Sequence, residues 1–198
     1  VIGSGAFWGC EKMTSFVIPE KLSIVDAAAF SGCENLAEVH IPSLYTWCNI
    51  SFATSDSSPL IYGAELLLNN LPITDLSIPE GITSINSYAF QGCSSIVSVS
   101  MPESVTVIKD SAFYGCQNLK SILFSKNITT IWQFAFCDCI SLETINLPKG
   151  IVTIEVGAFS SCEKLGSVEI PSGIEYIGED AFSGCTGLKE VIFLDGPS

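Results

Sequence analysis

The chain has 198 residues, 47% of them hydrophobic, so it can bury the core of one ordinary domain and is not a disordered tail. It carries 21 acidic residues and 8 basic residues, all lysine, for a formal net charge of -13. Because such a surface repels phosphate backbones and anionic lipid headgroups, composition excludes nucleic acid as a partner and argues against binding to membranes.

The first residues fall inside a pattern that recurs later in the chain. Val1, Ile2 and Gly3 occupy the phase that Tyr176–Gly178 occupy near the other end. We therefore expect the chain to be a fragment of a longer protein. It contains no apolar run of about 18 residues that could cross a membrane, and no signal peptide.

An Ala-Phe pair recurs through the chain at a step of 23 residues, except between Phe30 and Phe90. A cysteine follows each phenylalanine after three residues, and an aliphatic residue or methionine follows after six. Self-similarity at a fixed period is typical of a solenoid, in which each unit buries its apolar residues against its neighbours. The repeated pairs are Phe7/Cys10, Phe30/Cys33, Phe90/Cys93, Phe113/Cys116, Phe136/Cys139, Phe159/Cys162 and Phe182/Cys185.

Each unit predicts two short extended segments and one bend. In the unit that begins at Leu165, alternation at Val168 and Ile170 predicts a strand that the following proline ends. Ile174 and Ile177 mark a turn and a second extended segment, and Ala-Phe-x-x-Cys marks a compact bend with Phe between the coils. Eight strand patterns predict a curved parallel sheet; they start at Met13, Leu36, Ile73, Ile96, Leu119, Leu142, Leu165 and Leu188.

One unit is longer than the others. The regular repeats cover residues 1–42 and 73–198, and an irregular repeat with an insertion covers 43–72 within the same single domain. The segment 65–74 predicts a small hairpin that turns at Asn69 and Asn70 and protrudes from the solenoid. Insertions in repeat proteins lie in loops that are frequently binding sites, and equally often are tolerated without function. Trp47 and Tyr62 are the candidate contacts of this insertion, and packing against neighbouring coils is the alternative explanation for both side chains.

The outward positions of the predicted strands form a candidate binding face rich in hydroxyl groups. It has acidic residues near both ends and no aromatic side chain or arginine, which are the usual anchors of strong sites. An extended or basic partner could bind weakly over a large area. The candidate residues are Glu38, His40, Asp75, Ser77, Ser98, Ser100, Ser121, Thr144, Asn146, Ser167 and Glu169.

The nine cysteines predict neither a metal site nor a cofactor. Seven share one phase of the repeat, and the closest approach to a metal-ligand spacing is Cys137-x-Cys139. A buried free cysteine behaves as a small hydrophobic residue, and stacked side chains that point the same way suit a disulfide badly. We therefore predict a ladder of reduced cysteines inside the solenoid.

Catalysis finds no support in the sequence. General acid-base and nucleophilic mechanisms need a base beside a nucleophile, and His40, next to Glu38, is the only histidine. The interpretation is a solvated surface histidine; a ligand contact near the insertion is the alternative. We predict that the chain has no catalytic residues.

The pattern Ala-Phe-x-x-Cys-x-x-Leu-x-x-Val-x-Ile-Pro resembles the BspA-like, treponemal-type class of leucine-rich repeats over essentially the whole chain. This resemblance implies a leucine-rich-repeat solenoid that is secreted or attached to a bacterial surface and mediates adhesion by binding proteins, such as host surface or matrix proteins. It implies no enzyme activity. A carbohydrate-binding scaffold and a spacer that displays another domain remain alternatives, and we expect a monomer.

Overall fold

Short parallel strands stack from coil to coil in two separate ladders, as a 23-residue repeat requires. The computed structural model describes residues 1–194. Residues 195–198, which the sequence assigns to the last regular repeat, lie outside the described residues. The strands of the first ladder are β1 (Ser15–Val17), β3 (Glu38–Ile41), β5 (Glu65–Leu68), β7 (Asp75–Ser77), β9 (Ser98–Ser100), β11 (Ser121–Leu123), β13 (Thr144–Ile145), β15 (Ser167–Ile170) and β17 (Glu190–Phe193).

The second ladder contains the predicted second extended segments, each two residues long. Its strands are β2 (Ile24–Val25), β4 (Ser51–Phe52), β8 (Ser84–Ile85), β10 (Val107–Ile108), β12 (Thr130–Ile131), β14 (Thr153–Ile154) and β16 (Tyr176–Ile177). Between regular coils each strand pairs in parallel with the equivalent residues of the next coil, so that Ser121 lies between Ser98 and Thr144. Both ladders divide at the irregular unit: the first into β1-β3-β5 and the six strands from β7 to β17, the second into β2-β4 and the five strands from β8 to β16. The predicted repeat solenoid is confirmed.

Alternation within the regular inner strands of the first ladder sends one side chain into the core and its neighbours outward. In β11, Ile122 is buried while Ser121 and Leu123 are exposed. The equivalent central residues Val99 and Val168 are buried in their coils as well, whereas all four residues of the last strand, β17, are exposed. A period of two therefore separates an apolar row from an outward row in these coils.

The Ala-Phe-x-x-Cys bends form a third stack, which is held by backbone hydrogen bonds between coils. The amide of Phe113 donates to the carbonyl of Ala135, and the amide of Phe136 donates to that of Ala158, each at 2.8 Å. Each bend reverses direction through two residues with positive φ, such as Ser111 at 51° and Gly115 at 70°. The neighbouring coil thus satisfies polar backbone that a buried bend would otherwise leave unpaired.

Phenylalanine rings fill the space between successive bends. From Phe90 to Phe182, neighbouring rings stack with centroids 5.1 to 5.5 Å apart and interplanar angles of 3 to 9°. Phe90, Phe113, Phe136 and Phe159 are fully buried. This confirms the predicted position of Phe between coils, where stacked rings exclude water along the axis of the solenoid.

The cysteines of the repeat also form contacts from one coil to the preceding coil. Sγ of Cys116 donates to the carbonyl of Phe90 at 3.1 Å, and Sγ of Cys139 donates to that of Phe113 at 3.3 Å. Eight of the nine cysteines are buried, which confirms their internal position, but Cys10 is exposed. The expectation was wrong for Cys10, which lies in the first coil of the chain.

The irregular unit contains the helix α1 (Leu44–Cys48), a 3-10 helix (Ser55–Ser57) and the short strand β6 (Leu71–Pro72). The Ser43 side chain caps α1 by accepting a hydrogen bond from the amide of Thr46 at 3.0 Å. In the described part of the chain, no helix has both the length and the hydrophobicity needed to cross a bilayer.

The predicted hairpin exists, but it does not simply protrude. β5 and β6 pair antiparallel around Asn69 and Asn70, whose φ angles of 54° and 60° suit a type I′ turn. However, β5 also pairs in parallel with β3, with Glu38 opposite Glu65. One arm of the hairpin is therefore a strand of the first ladder, and the eight predicted strands become nine.

Candidate binding surfaces

The outward side chains of the first ladder lie in two parallel rows, which we call the sheet face. One row runs through Ser15, Glu38, Glu65, Asp75, Ser98, Ser121, Thr144, Ser167 and Glu190, and the other through Val17, His40, Ser77, Ser100, Leu123, Asn146, Glu169 and Ile192. None of these side chains is buried, but Leu67, which pairs with His40 and takes the same position in β5, is buried. The predicted candidates Glu38 and His40 lie on the part formed by β1, β3 and β5, and the other predicted candidates lie on the part formed by the strands from β7 to β17.

The sheet face is acidic and carries no lysine. Its carboxylates belong to Glu38, Glu65, Asp75, Glu169 and Glu190. Hydroxyl groups hold part of this surface in place: Ser98 Oγ donates to Asp75 Oδ1 at 2.6 Å. Such a surface attracts cationic groups and repels anions.

His40 lies between two oxygen atoms on the sheet face. Its Nε2 is 3.1 Å from Glu38 Oε2, and its Nδ1 is 3.1 Å from Oδ1 of Asn70 at the tip of the hairpin. The histidine thus links the hairpin to β3, which the sequence interpretation as a solvated residue missed. Among residues 1–194, no cluster of three or more His, Cys, Asp or Glu side chains could hold a metal ion.

The two aromatic candidates in the insertion differ in position. Trp47 is fully buried, and its Nε1 donates to the carbonyl of Ala89 at 2.9 Å. Its coil has Ser57 where regular coils have Phe, and we attribute the burial of the indole to this missing aromatic volume. The expectation that Trp47 contacts a partner was therefore wrong.

Tyr62 remains a surface residue. Its side chain is 43% exposed, and its hydroxyl accepts a hydrogen bond from the amide of Gly32 at 2.9 Å. This bond ties the insertion to the preceding coil. The exposed ring is accessible to a partner.

A groove that the sequence interpretation missed lies between the insertion and the two following bends. It encloses about 670 Å³. Ser55, Ile61 and Gly63 of the insertion line it together with residues of the two bends, which are Tyr88, Gln91, Gly92, Ser94, Ser111, Tyr114, Gly115 and Gln117. We call this the insertion groove.

The insertion groove is uncharged. None of the lining residues is charged, although the chain carries a net charge of -13. The position after the cysteine is glutamate at Glu11, Glu34 and Glu163, but Ser94 and Gln117 occupy it in the groove. Ile140 and Thr186 hold the same position outside the groove, so an alignment of the repeats alone does not locate it.

A neighbouring carboxylate acts on one wall of the groove. A hydrogen bond with the Asp138 carboxylate raises the pKa of Tyr114 to about 12. The phenol therefore stays protonated and neutral near neutral pH. The lining offers hydroxyl and carboxamide groups beside two aromatic rings.

Solved structures show that this architecture recurs in bacterial proteins. A leucine rich cell surface protein from Faecalibacterium prausnitzii A2-165 is 26% identical, with a TM-score of 0.64 over 98% of this chain and 69% of its own. A leucine rich repeat protein from T. pallidum is 34% identical, with a TM-score of 0.51 over 62% of this chain and 53% of its own. The chain thus spans about half the length of the T. pallidum protein.

A more distant similarity concerns the fold alone. The pneumococcal vaccine antigen PcpA is 20% identical, with a TM-score of 0.60 over 92% of this chain and 51% of its own. No curated protein shows significant similarity to the chain.

The family comparison agrees with the geometry of the coils. The model of the BspA type leucine rich repeat region matches residues 1–62 and 63–194, in six copies. These two ranges include all the strands and bends described above. The chain therefore belongs to the BspA type leucine rich repeat family.

Proposed function

We propose that the chain is a non-enzymatic binding module of a bacterial cell surface or of a secreted protein, and that the sheet face mediates adhesion to a protein partner. The observation that carries this proposal is the exposed sheet face, which runs without interruption over the six paired strands from β7 to β17. Repeat solenoids use extended surfaces of this kind for binding. The similarity to the leucine rich cell surface protein of F. prausnitzii supports the location.

The negative charge of the sheet face indicates which kind of protein surface it can bind. Five carboxylates and no lysine favour a basic protein surface, because complementary charges steer association and disfavour acidic partners. Small hydroxyl side chains between the carboxylates allow a flat, close approach. The exposed Val17 and Leu123 add isolated apolar contacts.

A charge-reversal experiment tests the proposal. A variant with Glu38→Lys, Asp75→Lys and Glu169→Lys is compared with the wild type for binding to immobilised extracellular-matrix proteins. The matched control reverses three exposed acids outside the sheet face, Glu20, Glu80 and Glu179. Both variants change the net charge equally, so only the position of the charges differs.

The expected result is saturable binding that weakens with salt, is lost in the sheet-face variant and survives in the control. Equal loss in both variants would show a nonspecific effect of net charge. Binding that neither variant changes would place the contact elsewhere. No saturable binding by the wild type would contradict adhesion to these proteins.

A further inference from the structure

The insertion groove is separate from the sheet face and has a different chemistry. We propose that it binds a short neutral saccharide. Its volume of about 670 Å³ lies within the range of about 300 to 1,000 Å³ typical of small-molecule sites. The groove is built from side chains of two successive bends and of the insertion, so only the long repeat produces it.

The lining residues have the groups that bind a sugar. Tyr88 and Tyr114 offer aromatic rings with a polar end, which suit the apolar C–H face and the hydroxyl rim of a pyranose. Gln91 and Gln117 supply carboxamides, each able both to donate and to accept, as sugar hydroxyls do. Ser55, Ser94 and Ser111 add hydroxyl groups around the same space.

One of these carboxamides is fixed in orientation. Gln91 is only 4% exposed, and its Nε2 donates to the carbonyl of Ser55 at 3.0 Å. This hydrogen bond joins the bend to the insertion and holds the amide plane. A preorganised polar group of this kind reduces the loss of side-chain entropy on binding.

The charge distribution excludes phosphorylated and acidic ligands. No lysine lines the groove, and Asp138 lies beside Tyr114 in a chain of net charge -13. An anion in the groove would meet repulsion without a compensating cation. A neutral ligand avoids this repulsion and can use the hydroxyl and carboxamide groups.

The backbone of the groove disfavours an extended peptide. Binding by strand addition needs unpaired main-chain groups at an edge. Here the amide of Gly92 donates to the carbonyl of Tyr114 at 2.7 Å, and the amide of Gly115 donates to that of Cys137 at 2.8 Å. The coil-to-coil bonds therefore already use these donors, and side chains must provide recognition.

The test is binding of the chain to immobilised neutral oligosaccharides, with sialylated and sulfated oligosaccharides beside them. The groove variants are Tyr114→Ala, Gln117→Ala and Ser94→Arg; the arginine fills the groove from an exposed position. The matched controls are Trp8→Ala and Thr186→Ala, which change the same two repeat positions in coils away from the groove. Far-UV circular dichroism confirms that each variant folds.

We expect capture of at least one neutral oligosaccharide, weakened about 10-fold or more by each groove variant, as loss of a central contact produces. The controls should bind within about twofold of the wild type, a change far below that of a central contact. Capture of acidic glycans alone, no capture at all, or equal binding by groove and control variants would overturn the proposal. The sheet-face charge-reversal variant should retain glycan capture, so the two proposals can fail independently.

Discussion

Replacing Phe113 with alanine tests whether the stacked rings hold the solenoid together. Phe113 is fully buried, and its ring stacks on Phe90 at 5.2 Å and on Phe136 at 5.1 Å between centroids. The substitution Phe113→Ala removes both contacts and opens a cavity in the middle of the chain. Because neighbouring rings pack on both faces, the surrounding coils have little freedom to collapse into the cavity that the Phe113 ring leaves.

The magnitude follows from these contacts. Burial loss and cavity formation for Phe→Ala destabilise proteins by about 3 to 5 kcal/mol. Because both faces of Phe113 lose an aromatic partner, and each pair contributes about 0.5 to 1.5 kcal/mol beyond burial, we expect the upper half of that range. Phe182 is half-buried and, among residues 1–194, stacks only on Phe159, at 5.5 Å, so Phe182→Ala should cost about half as much.

Urea denaturation of both variants, followed by far-UV circular dichroism, measures the difference. In a repeat protein, loss of a central interface also weakens coupling between its two sides, so the Phe113→Ala transition should broaden. Destabilisation below about 1 kcal/mol, or equal destabilisation by Phe113→Ala and Phe182→Ala, would refute the argument that stacking along the axis carries the stability.

Three further outcomes follow from the coil contacts. Trp47→Phe should destabilise the chain by about 1 to 3 kcal/mol in the same urea assay, because it leaves a buried carbonyl without its donor; an unchanged midpoint would contradict this. Gly92→Ala should destabilise the chain more than Gly9→Ala: both glycines have positive φ, but only at Gly92 would the new Cβ meet a backbone oxygen, at 2.9 Å. Equal urea midpoints for the two variants would show that the loop of the insertion moves away from the new Cβ. Burial raises the pKa of Cys93 to about 12, so its thiol stays protonated at pH 8 and should react slowly with iodoacetamide in the native protein, whereas the exposed Cys10 should be labelled rapidly. Rapid native labelling of Cys93, detected by peptide mass spectrometry, would disprove its burial.

The repeat made most of the fold predictable. Phe113 and Cys116 recur with a fixed phase, and a fixed phase in a solenoid means that equivalent residues stack. Period-two alternation at positions such as Val168 and Ile170 then separates core from surface. For the same reason the sequence could identify the outward positions of the regular strands, such as Ser98 and Ser121.

The long repeat was less predictable because its residues break the phase. Glu65 looks like part of an inserted hairpin, yet it pairs with Glu38, so that β5 covers the edge of β3 before this sheet ends at the hairpin. Trp47 looks like an exposed aromatic contact, yet its coil has a serine at the Phe position and core volume must be filled. Neither the pairing of Glu65 nor the burial of Trp47 can be predicted from the local sequence pattern.

The sequence by itself determined the coil, its period and the inward and outward sides of each strand, since these depend on residues that repeat within one unit. Only the tertiary structure decided which strand continues the ladder, where Trp47 packs and that a groove forms beside the insertion. These features arise where segments of unequal length, such as residues 55–63 and 88–117, meet in space. Their contacts depend on how the longer coil fits against regular neighbours, which no single repeat encodes.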